Sequence, residues 1–304
     1  MEQIENIEKF KEEYDRGIRE EVLPALKPLE KERKLRSIYA LSLSIIALIL
    51  IPFVFVLTMD FSSIHIGVIA SISVSIVVFK TMITGFKNDA KNKVHKIITK
   101  LFKDFVWTTE PSFNISELEE SYVTSSISGC LEEIDDCIIG KYKNIKFEVV
   151  ECAYTSIMHN TTIFRGVIIK LQMNKQFKGL TTVRSVNDLQ DNVKHLEKIK
   201  LEDVDFNSQY NVYANDQIEA RYLLTPSFME RLKNIKNAFN ADWTNCSFYK
   251  NDIYLALATQ TDKFEFCNLA DKIDTLNNFE IFFNEIISIL ALIDHFKLDK
   301  KLGL

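Results

Sequence analysis

Glycine and proline are scarce in this chain, which has only 8 and 5 of them in 304 residues. No two glycines lie closer than 11 positions along the sequence. The phosphate-binding loop G-x-x-x-x-G-K, the dinucleotide motif G-x-G-x-x-G and the nucleophile elbow G-x-S-x-G each need glycines within a few residues. None of these motifs occurs in the sequence, so no motif in it points to the enzyme classes that depend on them.

Closely spaced metal ligands are also lacking. The five cysteines include no C-x-x-C pair, and no H-E-x-x-H occurs. Cys130, Cys137, Cys152 and His159 follow one another at steps of 7, 15 and 7, so a zinc site with three thiolates and one imidazole is one interpretation. Structural zinc ligands usually come in pairs two to five residues apart. We therefore expect buried thiols, no metal and no cofactor.

Charge is missing from two long runs. Residues 38–59 and 61–79 contain no Asp, Glu, Lys or Arg, and only Asp60 separates them. About 20 apolar residues span a bilayer as a helix, in which every backbone amide is bonded within its own segment. The runs predict a two-helix transmembrane hairpin. The alternative is a buried hairpin of a soluble protein, but the helices of such a hairpin usually have shorter charge-free runs.

Small residues recur along both runs. Gly67, Ser71 and Ser75 stand at every fourth position of the second run, and Ala40 and Ser44 occur in the first. Small side chains at this spacing allow two helices to approach closely in lipid. We expect the two spans to pack against each other, and a homo-oligomer interface is the alternative.

Lys and Arg flank both runs and are absent from the turn between them. Basic flanks stay on the cytoplasmic side, so both termini are predicted to be cytoplasmic. We expect the flanking residues to form a basic collar that attracts anionic lipid headgroups. This collar comprises Lys31, Arg33, Lys34, Arg36, Lys80, Lys87, Lys91 and Lys93.

Beyond the collar the charge changes sign. Residues 80–103 carry 7 basic and 1 acidic side chain, a net +6, whereas residues 104–304 carry 21 basic and 30 acidic ones, a net −9. An acidic domain repels a phosphate backbone, and we expect no nucleic-acid partner.

Hydrophobic periodicity divides the chain into four parts. Residues 1–37 form a cytoplasmic amphipathic helix, interrupted at Pro24 and Pro28, whose apolar stripe needs a partner helix or the later domain. The hairpin covers 38–79, and a basic helical stalk follows over 80–106. The apolar stripe of the first part comprises Ile7, Phe10, Tyr14, Ile18, Val22, Leu26 and Leu29.

Residues 107–304 are predicted to form a cytoplasmic α+β domain of antiparallel strands with flanking helices, as one domain or two lobes. Thr225 and Pro226 open a helix to about 239, and a last helix covers 276–297. Ser116 and Glu119 suggest a capping box. The predicted strands are 134–142, 145–155, 161–173, 177–186, 210–214, 219–224, 245–250 and 253–260.

A polar and aromatic cluster lies within residues 201–231. An arginine among carboxylates can clamp an anionic ligand, or can belong to an ion-pair network that fixes a turn against a helix. Both interpretations remain open at this point. The candidate residues are Tyr213, Asp216, Glu219, Arg221 and Tyr222.

The same stretch carries a family resemblance. Tyr213 to Glu230 reads Y-x-x-D-x-x-E-A-R-Y-x-L-T-P-x-F-M-E. It resembles an uncharacterised bacterial membrane family, domain-of-unknown-function family 3137. The F-R-G-V of residues 164–167, the F-K-G of 177–179 and the L-E-D-V-D-F of 201–206 are similar to the same family. The resemblance implies a two-span protein of the bacterial inner membrane, and it supplies no catalytic residue.

These patterns favour a membrane-anchored interaction or scaffold protein that faces the cytoplasm and binds a protein partner. The alternative is an anchored enzyme or small-ligand sensor that uses the 203–231 cluster. An envelope-transport component is a third interpretation. We assign no catalytic residue.

Overall fold

A computed structural model of the chain describes residues 7–58, 64–102, 105–125, 127, 129–156, 158–159, 161–174, 176–187, 193, 195–259, 261, 263–264, 272 and 276–298. The chain divides into two compact units. We call Lys11–Leu101 with Glu265–Phe279 the helical unit, and Met1–Phe10, Phe102–Phe264 and Glu280–Leu304 the sheet unit.

Long helices dominate the helical unit. α1 (Ile7–Gly17), a π-helical turn (Ile18–Val22) and α2 (Leu23–Thr58) follow one another, and α3 (Ile64–Leu101) runs without a break from the predicted second span into the predicted stalk. Phe10–Thr58 and Ile64–Thr99 are long and apolar enough to cross a membrane. The turn around Asp60 lies outside the described residues.

The N-terminal apolar stripe is buried. Tyr14, Ile18, Val22, Leu26 and Leu29 are each at most 4% exposed. The π-helical turn and α2 pack against α3, whose stalk buries its own stripe of Phe86, Ala90, Val94 and Ile98. The stripe therefore has both of the partners that it allows. Its later part packs against the stalk of the same chain, while Phe10 stacks on Phe283 and the Tyr14 hydroxyl donates to the Phe279 carbonyl oxygen at 2.9 Å, both in the last helix.

Pro28 lies inside α2, so the predicted interruption there is wrong. A helix-interior proline costs roughly 3 kcal/mol through its missing amide, and burial of Leu26 and Leu29 on either side offsets that cost. Pro24 is the second residue of α2, which continues directly from the preceding helical turn, so its missing amide also falls inside a continuous helical run. The turn before it is π-helical, with the Leu23 amide bonded to the Ile18 carbonyl oxygen.

The predicted packing of the two apolar helices is confirmed. Ser71 and Ala40 are almost fully buried. The Ser75 hydroxyl donates to the Ser71 carbonyl oxygen at 2.8 Å and reaches the Ser44 carbonyl oxygen of the other helix at 3.4 Å. Small residues therefore form the contact between α2 and α3, as their spacing predicts.

The sheet unit is built on one nine-stranded antiparallel sheet, with strand order β1-β2-β3-β4-β9-β8-β5-β7-β6. All of these strands belong to one continuous sheet. Both edge strands have three residues, which limits edge-to-edge pairing. The strands are β1 Val106–Thr108, β2 Cys130–Tyr142, β3 Ile145–Thr155, β4 Thr162–Gln172, β5 Thr181–Ser185, β6 Glu197–Ile199, β7 Tyr210–Ala214, β8 Trp243–Tyr249 and β9 Asp252–Ala258.

Helices flank this sheet, and the predicted α+β class is confirmed. One core lies beside α4 (Ile115–Glu120) and includes Leu118, Val150, Ile168 and Ala256. The helix predicted from Pro226 and the last helix are both present. The helices are α4 Ile115–Glu120, α5 Val204–Gln209, α6 Gln217–Leu223, α7 Pro226–Ala238 and α8 Leu276–Leu298.

Two local predictions are wrong. Residues 219–224 are not a strand, because Asp216 caps the amides of Ile218 and Glu219 and starts α6. The capping box at Ser116 is also absent, since Asn114 accepts the Glu117 amide and starts α4 two residues earlier. In both cases an Asp or Asn side chain accepts the first free amides and sets where the helix begins, in keeping with the preference for these residues at helix N-caps.

Candidate functional site

The predicted polar cluster lies around α6 at one end of the sheet. Asp216 Oδ1 accepts the amides of Ile218 at 2.9 Å and Glu219 at 3.0 Å. Both carboxylate oxygens of Glu219 accept backbone amides from the loop before β5, Lys178 at 2.9 Å and Gly179 at 2.8 Å. The two acidic members of the cluster therefore hold local backbone together.

The neighbouring Asn215 completes this clamp. Its Oδ1 accepts the Leu180 amide at 2.8 Å, so three successive loop amides find side-chain acceptors. A Cβ on Gly179 would collide with Asn215 Oδ1, so a larger residue here would displace the Asn215 side chain from the Leu180 amide. The F-K-G and E-A-R-Y segments that carry the family resemblance thus contact each other.

The remaining three residues of the cluster have different surroundings. Arg221 is exposed and donates to the Lys200 carbonyl oxygen at 3.2 Å, and it forms no ion pair within the described part of the chain. Tyr213 is buried on β7, with Lys198 Nζ 6.0 Å from its ring centroid. Tyr222 is exposed on α6. This arrangement favours the structural interpretation over an anion clamp made by Arg221 and the carboxylates.

A different group of carboxylates converges inside the sheet unit. Oxygen atoms of Asp135, Asp136 and Glu151 lie within 4.8 Å of one another, and Asp136 and Glu151 are buried. The two aspartates lie where β2 changes register against β3 between Ile134 and Cys137. A bulge of this kind re-aims side chains and brings consecutive acids to one place.

Protein groups already contact this carboxylate group. The Trp107 indole donates to Asp136 Oδ1 at 2.7 Å, and the Lys263 amide donates to Glu151 Oε1 at 2.7 Å. Lys263 Nζ also pairs with Glu285 of α8 at 3.1 Å. Burial raises the pKa of Glu285, and the Lys263 charge opposes that rise.

Carboxylate oxygens in this arrangement are the ligands that Mg²⁺ and Ca²⁺ prefer. The Asp135, Asp136 and Glu151 group is therefore where this unit could hold a divalent cation, and sequence reasoning missed it. The signal was present, because a Glu between apolar residues of a strand predicts a buried charge. The convergence itself depends on the bulge.

The cysteines considered for zinc do not assemble a site among the described residues. Cys137 and Cys152 lie in the core beside α4, whereas Cys130 and His159 are exposed. Burial raises the pKa of the Cys137, Cys152 and Cys246 thiols. Protonated thiols are poor nucleophiles and poor metal ligands.

Both arginines of the predicted basic collar form close ion pairs. Arg33 makes two 2.8 Å hydrogen bonds to Glu30. Arg36 bridges Glu32 at 2.7 Å and Asp89 at 2.8 Å, which ties α2 to α3.

Two lysines of the collar lie at longer distances from carboxylates than the arginines do. Lys34 lies 3.7 Å from Glu30, and Lys93 lies 3.7 Å from Glu32. Lys31 and Lys80 are exposed, and Lys87 and Lys91 are partly buried. Headgroup binding by the collar remains a prediction, carried mainly by its exposed lysines.

Comparison with known proteins supports the family resemblance. Residues 162–298 match the family model described as Protein of unknown function (DUF3137), which confirms the family that the Tyr213 to Glu230 motif predicts. No curated protein matches the sequence. Among solved structures, the crystal structure of the mycobacterial trehalose monomycolate transport factor A, TtfA, is similar with a TM-score of 0.36 and 11% identity, over 67% of this chain and 94% of that chain.

Proposed function

We propose that this chain, whose residues 162–298 match the DUF3137 family model, is a two-span protein of the bacterial inner membrane. In this proposal α2 and α3 anchor the chain, both termini face the cytoplasm, and the sheet unit serves as an interaction module for a protein partner.

The exposed apolar surface of α2 and α3 carries this proposal. Only 11% of the most apolar 18-residue window of the first helical stretch is buried, and 12% of that of the second. A core helix of a soluble protein would be mostly buried. Soluble monomers rarely expose apolar patches larger than a few hundred Å², so these two helices need a surrounding apolar medium, which a bilayer provides.

The transition from exposed to buried apolar residues coincides with the basic collar. On α3, Ile69, Ile76 and Phe79 are exposed, whereas Phe86 and later stripe residues are buried. α3 has 38 residues, so at 1.5 Å per residue it extends about 57 Å, nearly twice a bilayer core of about 30 Å. One half would cross the membrane and the other would stand in the cytoplasm as a stalk.

A surface on α6 supports an interaction role for the sheet unit. Ile218 and Tyr222 are 72% and 55% exposed and stand four residues apart on one helix face, next to exposed Arg221. Tyr and Arg are enriched among the residues that dominate protein interfaces. The clamp made by Asp216 and Glu219 fixes this face, which favours binding over catalysis at the cluster.

Photo-crosslinking in cells tests this interaction surface. A photoreactive amino acid at position 218 or 222 should yield one discrete crosslinked product. The same group at Met158, which is 89% exposed between β3 and β4, should not. Identical products from all three positions, or none from 218 and 222, would contradict the proposed surface. The position 158 variant controls for exposure and expression.

A further inference from the structure

The two apolar helices leave a groove on their lipid-facing side. It has a volume of about 530 Å³, and Leu48, Ile72, Ile76 and Phe79 form its apolar walls. Ser44 and Ser75 lie where the helices meet, and their small side chains open the space. One end of the groove is lined by Lys80 and Thr84.

The groove extends over about one leaflet. Ile72 and Lys80, which both line it, are eight residues apart, or about 12 Å along a helix. Half of a bilayer core measures about 15 Å. If Lys80 stands at the cytoplasmic surface, Ile72 lies close to the bilayer midplane.

The positive charge of Lys80, at one end of the groove, determines which class of molecule the groove fits. Lys80 is exposed and, within the described residues, forms no ion pair, unlike Arg33 and Arg36 of the same collar. Its ammonium group is therefore available at the depth of lipid headgroups. The groove is apolar, is about as long as one leaflet is thick, and has a cation at its headgroup end. It is therefore complementary to one acyl chain and the phosphate of an anionic phospholipid.

We propose that this groove binds an anionic phospholipid of the cytoplasmic leaflet, with an acyl chain along Ile72 and Ile76 and the phosphate at Lys80. The inference rests on the proposed membrane hairpin. It goes beyond a general attraction of the collar for anionic lipids, because it assigns one chain position and one cation.

The test uses the full chain in vesicles of mixed phosphatidylcholine and phosphatidylglycerol. A phosphatidylglycerol probe with a photoreactive group on its acyl chain is compared with the matching phosphatidylcholine probe, and crosslinked residues are mapped by mass spectrometry. The phosphatidylglycerol probe should label Leu48, Ile72 and Ile76 preferentially. Equal labelling by both probes would overturn the proposal.

Two pairs of variants locate the site. Ile76→Trp should fill the groove and abolish the preference, whereas Val77→Trp should retain it; the wild-type residues are both 61% exposed, and Val77 does not line the groove. Lys80→Gln should lower the preference for phosphatidylglycerol about fivefold, the factor that corresponds to roughly 1 kcal/mol per lysine. Lys31→Gln should leave it unchanged.

The outcomes separate the two proposals. Absence of labelling throughout residues 38–79 would contradict the membrane hairpin itself. Labelling that is spread equally over Ile76 and Val77, with no effect of Lys80→Gln, would leave the hairpin standing and overturn the lipid site. Lipid labelling at Val77 but not at Ile72 and Ile76 would show that lipid is excluded from the groove, as it would be if a second copy of the chain filled it, and would also overturn the proposal.

Discussion

Gly67 of α3 lies so close to Pro52 of α2 that a Cβ atom on the glycine would stand 2.8 Å from the proline Cα. That separation is well below an ordinary van der Waals contact. The glycine therefore sets how closely the two apolar helices approach, at the position where α2 carries a proline in its interior.

Gly67→Ala is expected to weaken the hairpin by about 1–3 kcal/mol, because backbone must move to accommodate the methyl group. Gly85→Ala on the same helix is the control. There a Cβ meets only Arg36 Nη1 at 3.5 Å, and alanine is the better helix former by about 1 kcal/mol. Thermal unfolding in detergent should shift down for the first variant and not for the second. Equal shifts would contradict the close approach as the cause.

Glu219→Ala is expected to destabilise the sheet unit by about 1.5–3 kcal/mol, because the Lys178 and Gly179 amides lose a charged acceptor. Arg221→Ala should stay within about 0.5 kcal/mol, since Arg221 is exposed. Denaturant unfolding measures both. If Arg221→Ala destabilised as strongly as Glu219→Ala, the cluster would be an ion-pair network that includes Arg221, contrary to the geometry.

Lys263→Met is expected to cost about 3–5 kcal/mol near neutral pH, because it leaves the buried Glu285 carboxylate without its cation. Burial already raises the pKa of Glu285. Loss of Lys263 removes the group that opposes this rise, so the loss of stability should shrink as pH falls and Glu285 becomes protonated. Adding Glu285→Leu should restore much of the stability at neutral pH, and a double-mutant cycle measures the coupling. Purely additive effects would exclude a coupled pair.

His95 of the stalk is expected to make the helical unit less stable in acid. Burial, and then the charge of Lys91, lower the pKa of His95 to about 3. The unfolded chain takes up this proton below about pH 6.5 and the folded chain does not. The free energy of unfolding should therefore fall by about 1.4 kcal/mol per pH unit below pH 6.5, until the folded pKa is reached.

The contribution of His95 is the difference in the pH dependence of the free energy of unfolding between wild type and variants. His95→Gln should remove this slope between pH 6.5 and 5, whereas His159→Gln, at an exposed position, should keep it. Unfolding measured across this pH range in wild type and both variants isolates the His95 contribution. Identical slopes in all three proteins would show that His95 does not titrate differently on folding.

Hydrophobic periodicity, together with turn and helix-capping residues, predicted much of this fold. The Lys143-Asn144 turn has φ of 46° and 67° and joins β2 to β3 as predicted, since Asn tolerates the left-handed region that such turns need. Thr225 caps α7 because hydroxyl side chains satisfy free N-terminal amides. These features depend on a few adjacent residues and can be read from sequence.

Features that depend on distant partners could not be read in this way. The alternation of Ile218, Ala220 and Tyr222 is typical of a strand, but Asp216 and burial of Ala220 and Leu223 make this segment a helix. The role of Glu219 requires the loop at Gly179, 40 residues earlier. The convergence of Asp135, Asp136 and Glu151 requires a register shift between two strands.

Thiol accessibility in intact cells tests the central claim most directly. Cys130 of the sheet unit is exposed and reports on one side, and Ser62→Cys in the turn between the apolar runs reports on the other. With a membrane-impermeant maleimide, the account predicts labelling at position 62 before lysis and at Cys130 only after lysis, each identified by peptide mass spectrometry. Labelling of Cys130 in intact cells with protection of position 62 would reverse the topology, and protection of both until lysis would contradict a hairpin that crosses the membrane.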